Sequence, residues 1–115
     1  MVTTDEANKD TVTVPVLAGA TSMLALPAGQ QPSDQISVPV LVAVGADDNL
    51  FCTGVTAYNC DSAASVQAFE SRYYSQAAHL TVVTIPGTGH DLALSTTAPI
   101  TDAIMLGWSF TVVAP

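Results

Sequence analysis

The clearest pattern along the chain begins at Val38, where VPVLVAVG runs apolar and β-branched almost without a break to Gly45. Alternating apolar and polar residues would mark a strand with one wet face. A continuous run marks a strand covered on both faces, as in a parallel sheet. Pro39 has no N–H to give to a ladder, so it is admitted only at the first residues of such a strand. A second short run, LTVVTI from Leu80 to Ile85, is rich in β-branched residues and is stopped by Pro86-Gly87. Between the two, Val66, Phe69, Tyr73, Ala77 and Leu80 recur at intervals of three and four, the period of one apolar helix face. Asp61 or Ser62 is placed to cap that helix. A last stripe of Ile100, Ile104, Met105, Trp108 and Val112 predicts a terminal helix, with Thr96 or Thr97 near its cap and Pro99 in its first turn.

The order strand, helix, strand, helix predicts an α/β chain built on a parallel βαβ unit. The strands are expected near 39–45 and 80–85, the first helix near 62–78 and the C-terminal helix near 98–112. The amino-terminal part reads differently. Residues 1–12 are polar and acidic, and Thr13-Val14-Pro15 opens a short helix through Leu17, Ala20, Met23, Leu24 and Leu26, weakened by Gly19. Pro27 to Asp34, PAGQQPSD, has the composition of a linker. The expected division is therefore residues 1–37 as an acidic tail, short helix and linker, and residues 38–115 as the α/β segment. No internal repeat interrupts it.

Composition narrows the partners. With 115 residues the chain is long enough for one domain and too short for two. At 49% apolar and 10% charged residues, it has the composition of a buried core. Ten acids face two basic residues, Lys9 and Arg72, for a net charge of −8. Phosphate backbones and anionic lipid surfaces are repelled by such a chain, so nucleic acid and membrane are excluded as expected partners. No apolar run approaches the roughly 18 residues that span a bilayer. Val16 to Ala28 faintly resembles the core of a signal peptide, but the residues before it are net acidic where a signal needs positive charge. The expectation is a chain without an export signal, cytoplasmic by default, although the Cys52/Cys60 pair would suit an exported parent. Those cysteines flank a loop-like segment, FCTGVTAYNC, and joining them would contribute on the order of 2–3 kcal/mol. Joined and reduced forms both remain open at this stage. Neither a CxxC spacing nor a nearby His pair accompanies them, so no zinc site is expected. No cofactor is expected either.

Ligands of parallel sheets gather at the carboxyl ends of the strands. GADD follows the first strand and PGTGHD the second, which puts the chemistry-prone residues on one edge. Asp47 or Asp48 beside His90 would be half of a general-base device. The carboxylate accepts a bond from one ring nitrogen and stabilises the imidazolium when the other takes a proton. The plainer alternative is an acidic turn that caps its own segment and a histidine hydrogen-bonded in a loop. Asp47, Asp48, His90 and Asp91 would also suit a hard cation, but no D-x-D-x-D-G loop accompanies them. Asp91 reads as solvating its turn and His79, on the opposite edge, as a surface residue. Tyr73, Tyr74 and Trp108 fit their helices as packing residues.

From Val38 to Trp108 the chain resembles the carboxyl-terminal end of an α/β-hydrolase of the serine esterase or lipase kind. The resemblance is carried by PVLVAVGADD, a helix, LTVVTIPGTGHDL and a closing helix. It implies that Gly45-Ala46-Asp47-Asp48 supplies the triad acid, with Asp48 in the matching register and Asp47 the alternative, and that Gly89-His90 supplies the base. The family's nucleophile lies on a G-x-S-x-G elbow earlier in the chain. Ser22, Ser33 and Ser37 lie in other contexts, and Gly107-Trp108-Ser109-Phe110-Thr111 lacks the second glycine and follows the histidine. The resemblance thus implies a truncated hydrolase segment with two triad members, inactive alone, whose parent acts on a small-molecule ester or acyl bond. Two other readings stand beside it. One is a non-catalytic interaction module that pairs, or self-associates, through an open strand edge. The other is a small acidic βαβ domain that binds a metal or ligand.

Overall fold

Both β-branched runs form strands in the computed structural model, which describes residues 26–52 and 59–113. Strand β1 spans Leu41–Gly45 and strand β2 spans Thr81–Ile85. They pair in parallel, with Leu41 beside Thr81 and Gly45 beside Ile85. Backbone bonds extend the pairing past both ends: Val40 N–H donates to Ala78 O and Ala46 N–H to Ile85 O, each at 2.9 Å. Pro39 falls just ahead of β1, where its missing N–H costs no ladder bond. The predicted helix from Thr13 to Leu26 falls almost wholly outside the described residues.

The chain divides into two compact units, Met1–Gln31 and Pro32–Pro115. In the first, residues 26–31 are described and form a turn in which Gln30 N–H donates to Pro27 O. The second holds both strands, and it begins inside the segment read as a linker, with a 3-10 turn at Pro32–Gln35.

Helix α1 covers Ala63–Glu70 and starts where expected, with the Ser62 hydroxyl accepting from Ser65 N–H at 3.2 Å. It stops eight positions before the predicted end at 78. The reason is geometric. A helix over 62–78 would run about 26 Å, well beyond the about 16 Å of a five-residue strand. After Glu70 the chain turns instead, and the Arg72 guanidinium lies 4.3 Å from the Phe69 ring centroid. Ser75 Oγ donates to Ile36 O at 2.7 Å, and a 3-10 turn follows at Gln76–Ala78. His79 then takes the left-handed conformation, φ 41°, to enter β2, and it is exposed. Because the helix has ended, Ala78 and not Ala77 is the buried residue.

Helix α2 covers Ala98–Val112, with Thr97 at its cap and Pro99 in its first turn. Its covered side runs through Thr101, Ile104 and Trp108, whereas Ile100, Met105 and Val112 of the predicted stripe are exposed, as are Leu106 and Phe110. A 15-residue helix is about 22 Å long, and a two-stranded sheet is too short and narrow to cover it. Among the described residues, no helix is long and apolar enough to cross a membrane.

The core is small. Val44, Val66 and Val82 pack with Cys52 and Cys60, and Val42, Ala63 and Leu80 lean on that cluster. The sulfurs of Cys52 and Cys60 lie at disulfide distance, the arrangement of the joined form. At the end of β1 there is no room for a side chain: a Cβ on Gly45 would overlap the carbonyl oxygens of Thr88 and Gly89 and meet Thr88 C at 2.8 Å. Gly45→Ala must push backbone off backbone, and is expected to lower stability by about 3 kcal/mol, the upper end of overpacking costs. Urea unfolding of the variant, with its midpoint against the native chain, measures this.

Candidate functional site

The close approach at Gly45 is what joins the two strand ends. Asp47 N–H donates to Thr88 O at 2.9 Å, and Asp48 N–H folds back onto Gly45 O at 3.1 Å. Asp48 is thereby turned inward. Its side chain is 5% exposed, and its Oδ2 lies 2.9 Å from Nδ1 of His90, whose side chain is 55% exposed. The other oxygen, Oδ1, accepts from the N–H groups of Leu50 at 2.7 Å and Phe51 at 3.1 Å. A carboxylate so placed directs both oxygens to donors, one side to the backbone and one to the imidazole.

Of the two candidate acids, the structure brings Asp48 to His90 and leaves Asp47 exposed. Asp91 belongs to its own turn, since Oδ1 accepts from Ala93 N–H and Leu94 N–H at 3.2 Å. Among the described residues, no group of three or more His, Cys, Asp or Glu is arranged to hold a metal ion. No side-chain hydroxyl among them is hydrogen-bonded to His90. Ser109 Oγ, the serine of the elbow-like pentapeptide, donates to Leu106 O within α2.

Burial pushes the Asp48 carboxyl up, but the hydrogen bonds from His90, Phe51 and Leu50, with the charge of His90, pull harder. The net result is a carboxyl below its ordinary 3.8. It is therefore ionised across the neutral range, the state in which it accepts an Nδ1–H from His90.

Phe51 and Thr88, which the sequence pattern did not single out, adjoin His90 in space and in sequence. The Phe51 ring lies 5.2 Å from the His90 ring, tilted by 42°. Thr88, fully buried two residues before the histidine, shares a hydrogen bond of 2.5 Å with Thr97 at the cap of α2. Thr97 shares another with Ser95 at 2.7 Å. This chain of hydroxyls fastens the turn that carries His90 to the start of α2. The signal is faint: Thr88 is the T of PGTGHD, Thr97 reads only as one of two candidate helix caps, and Ser95 stands out in no pattern.

Because the folded Asp48 has the lower pKa, its contribution to stability is fully present above 3.8 and is lost as pH falls through the folded value. In Asp48→Asn that part disappears, so the gap in stability between native chain and variant should close as pH is lowered below about 4. Urea unfolding at a series of pH values checks it, and a gap unchanged down to acid pH would contradict the assignment.

No protein-family model matches the chain, and no similar curated protein or solved structure was found.

Proposed function

We propose that Asp48 and His90 are the acid and base of an acyl-transfer site, and that the chain is the carboxyl-terminal portion of an α/β-hydrolase. The observation that carries the reading is the buried carboxylate bonded to Nδ1 of a half-open histidine, both at the carboxyl ends of neighbouring parallel strands. Asp48 holds the tautomer and balances the charge of the imidazolium. The free Nε2 takes a proton from a serine hydroxyl as it attacks an ester carbonyl, returns it to the leaving alcohol, and then activates water for the second half of the reaction. The sequence has no G-x-S-x-G elbow, so the nucleophile and its oxyanion donors come from another polypeptide segment. Small-molecule esters or related acyl compounds are the substrate class.

The purified chain is expected to hydrolyse a p-nitrophenyl ester no faster than background. Mixing it with a separately made amino-terminal hydrolase half should bring activity. His90→Ala should abolish that gain, and Asp48→Asn should reduce it on the order of 10⁴-fold, by leaving the ring without its tautomer partner. Activity of the chain alone, or a gain indifferent to His90→Ala, would sink the proposal.

A second reading, a non-catalytic module that pairs through its sheet edge, draws on the two-stranded sheet and on the exposed Met105, Leu106 and Phe110 of α2. Light scattering separates it: a concentration-independent monomer counts against pairing, whereas a dimer that dissociates on dilution supports it.

A further inference from the structure

His90 poses a positional problem that Asp48 alone does not solve. One hydrogen bond at Nδ1 fixes one point of the ring, and a side chain 55% exposed retains rotamer freedom about that point. A catalytic base needs its second nitrogen held as well, because a reacting group must find the lone pair within a narrow angle. Something must lie against the ring itself.

We infer that Phe51 is a positioning residue that clamps the His90 imidazole onto Asp48. Phe51 touches both members of the pair. Its backbone N–H donates to Asp48 Oδ1 at 3.1 Å, and its ring lies 5.2 Å from the His90 ring at 42°. Tilted aromatic pairs at this separation are attractive, because the positive edge of one ring meets the negative face of the other. Phe51 itself is half-buried.

Phe51 can do this only if its own backbone is fixed, and the next residue fixes it. Cys52 is buried, donates its N–H to Asp48 O at 2.9 Å, and lies at disulfide distance from Cys60 in the core. One short stretch, Asp48 to Cys52, therefore presents the carboxylate, two N–H groups that orient it, an aromatic face for its partner and an anchor in the core. The inference rests on reading Asp48 and His90 as an acid–base pair, and it assigns to that pair a third residue that touches no reacting atom.

The test substitutes the side chain alone. Phe51→Ala and Phe51→Leu keep the N–H that holds Asp48, and Phe51→Leu also keeps most of the volume, which guards against a variant that simply fails to fold. The readout is the imidazole of His90 by nitrogen-15 NMR on the full chain, with circular dichroism as the check on folding. The native chain should show the Nδ1–H tautomer dominating at neutral pH. Both variants should lose roughly two- to tenfold in the ratio of that tautomer to its alternative, the span a single aromatic pair supports. Phe51→Tyr, which keeps the ring, should restore the native signal.

Folded Phe51→Ala and Phe51→Leu variants with native His90 signals would overturn the inference, and so would failure of Phe51→Tyr to restore them. Because the signal requires no hydrolysis, a negative result in the mixing experiment leaves this one readable. In a mixture that is active, Phe51→Leu should lower kcat by a similar factor with KM unchanged.

Discussion

The absence of a side chain at Gly45 is the constraint on which the rest of the structure depends. At the end of β1 the backbone lies so close to the Thr88 and Gly89 carbonyls that no Cβ fits. This contact lets Asp47 N–H reach Thr88 O and folds Asp48 back beneath the turn after β2. Thr88 in turn is buried and shares its hydroxyl with Thr97, where α2 begins. Sheet, acid, histidine and terminal helix are therefore coupled through backbone packed on backbone, which yields less readily than side chains do.

An ionised carboxylate almost out of water is costly unless its lone pairs are met. Asp48 meets that requirement with three donors, two of them from its own next turn. The local stretch thus shares the stabilising of the carboxylate with the histidine, and the Cys52–Cys60 pair packs the stretch into the core. The remaining donor is a half-open ring.

Much of this was legible in the residue pattern, and the exceptions are instructive. VLVAV and TVVTI announce strands because an unbroken β-branched run has few other stable uses, and both formed within two residues of their expected bounds. Ser62 and Pro99 marked helix starts through local backbone chemistry. Helix α1 ends short of the helical period that Tyr73 and Ala77 continue, because strand length sets how far the helix travels. The covered side of α2 also departs from the apolar stripe. Periodicity shows that Ile100, Met105 and Val112 are apolar at helical spacing, but the size of the opposing sheet decides which of them finds a partner.

The sequence by itself determined the α/β alternation, the parallel pairing and the edge on which Asp47, Asp48 and His90 gather, because these follow from periodicity and from where polar residues interrupt apolar runs. Tertiary structure decided between the two aspartates. The two are adjacent and of one residue type, and it is in the turn closed by Asp48 N–H onto Gly45 O that Asp48 is buried and Asp47 exposed. It also brought the Cys52 and Cys60 sulfurs to disulfide distance, the Phe51 ring beside His90 and the Thr88 hydroxyl onto Thr97. The contact of Phe51 with His90 joins residues far apart in the chain, and no local pattern encodes the distance across a folded turn.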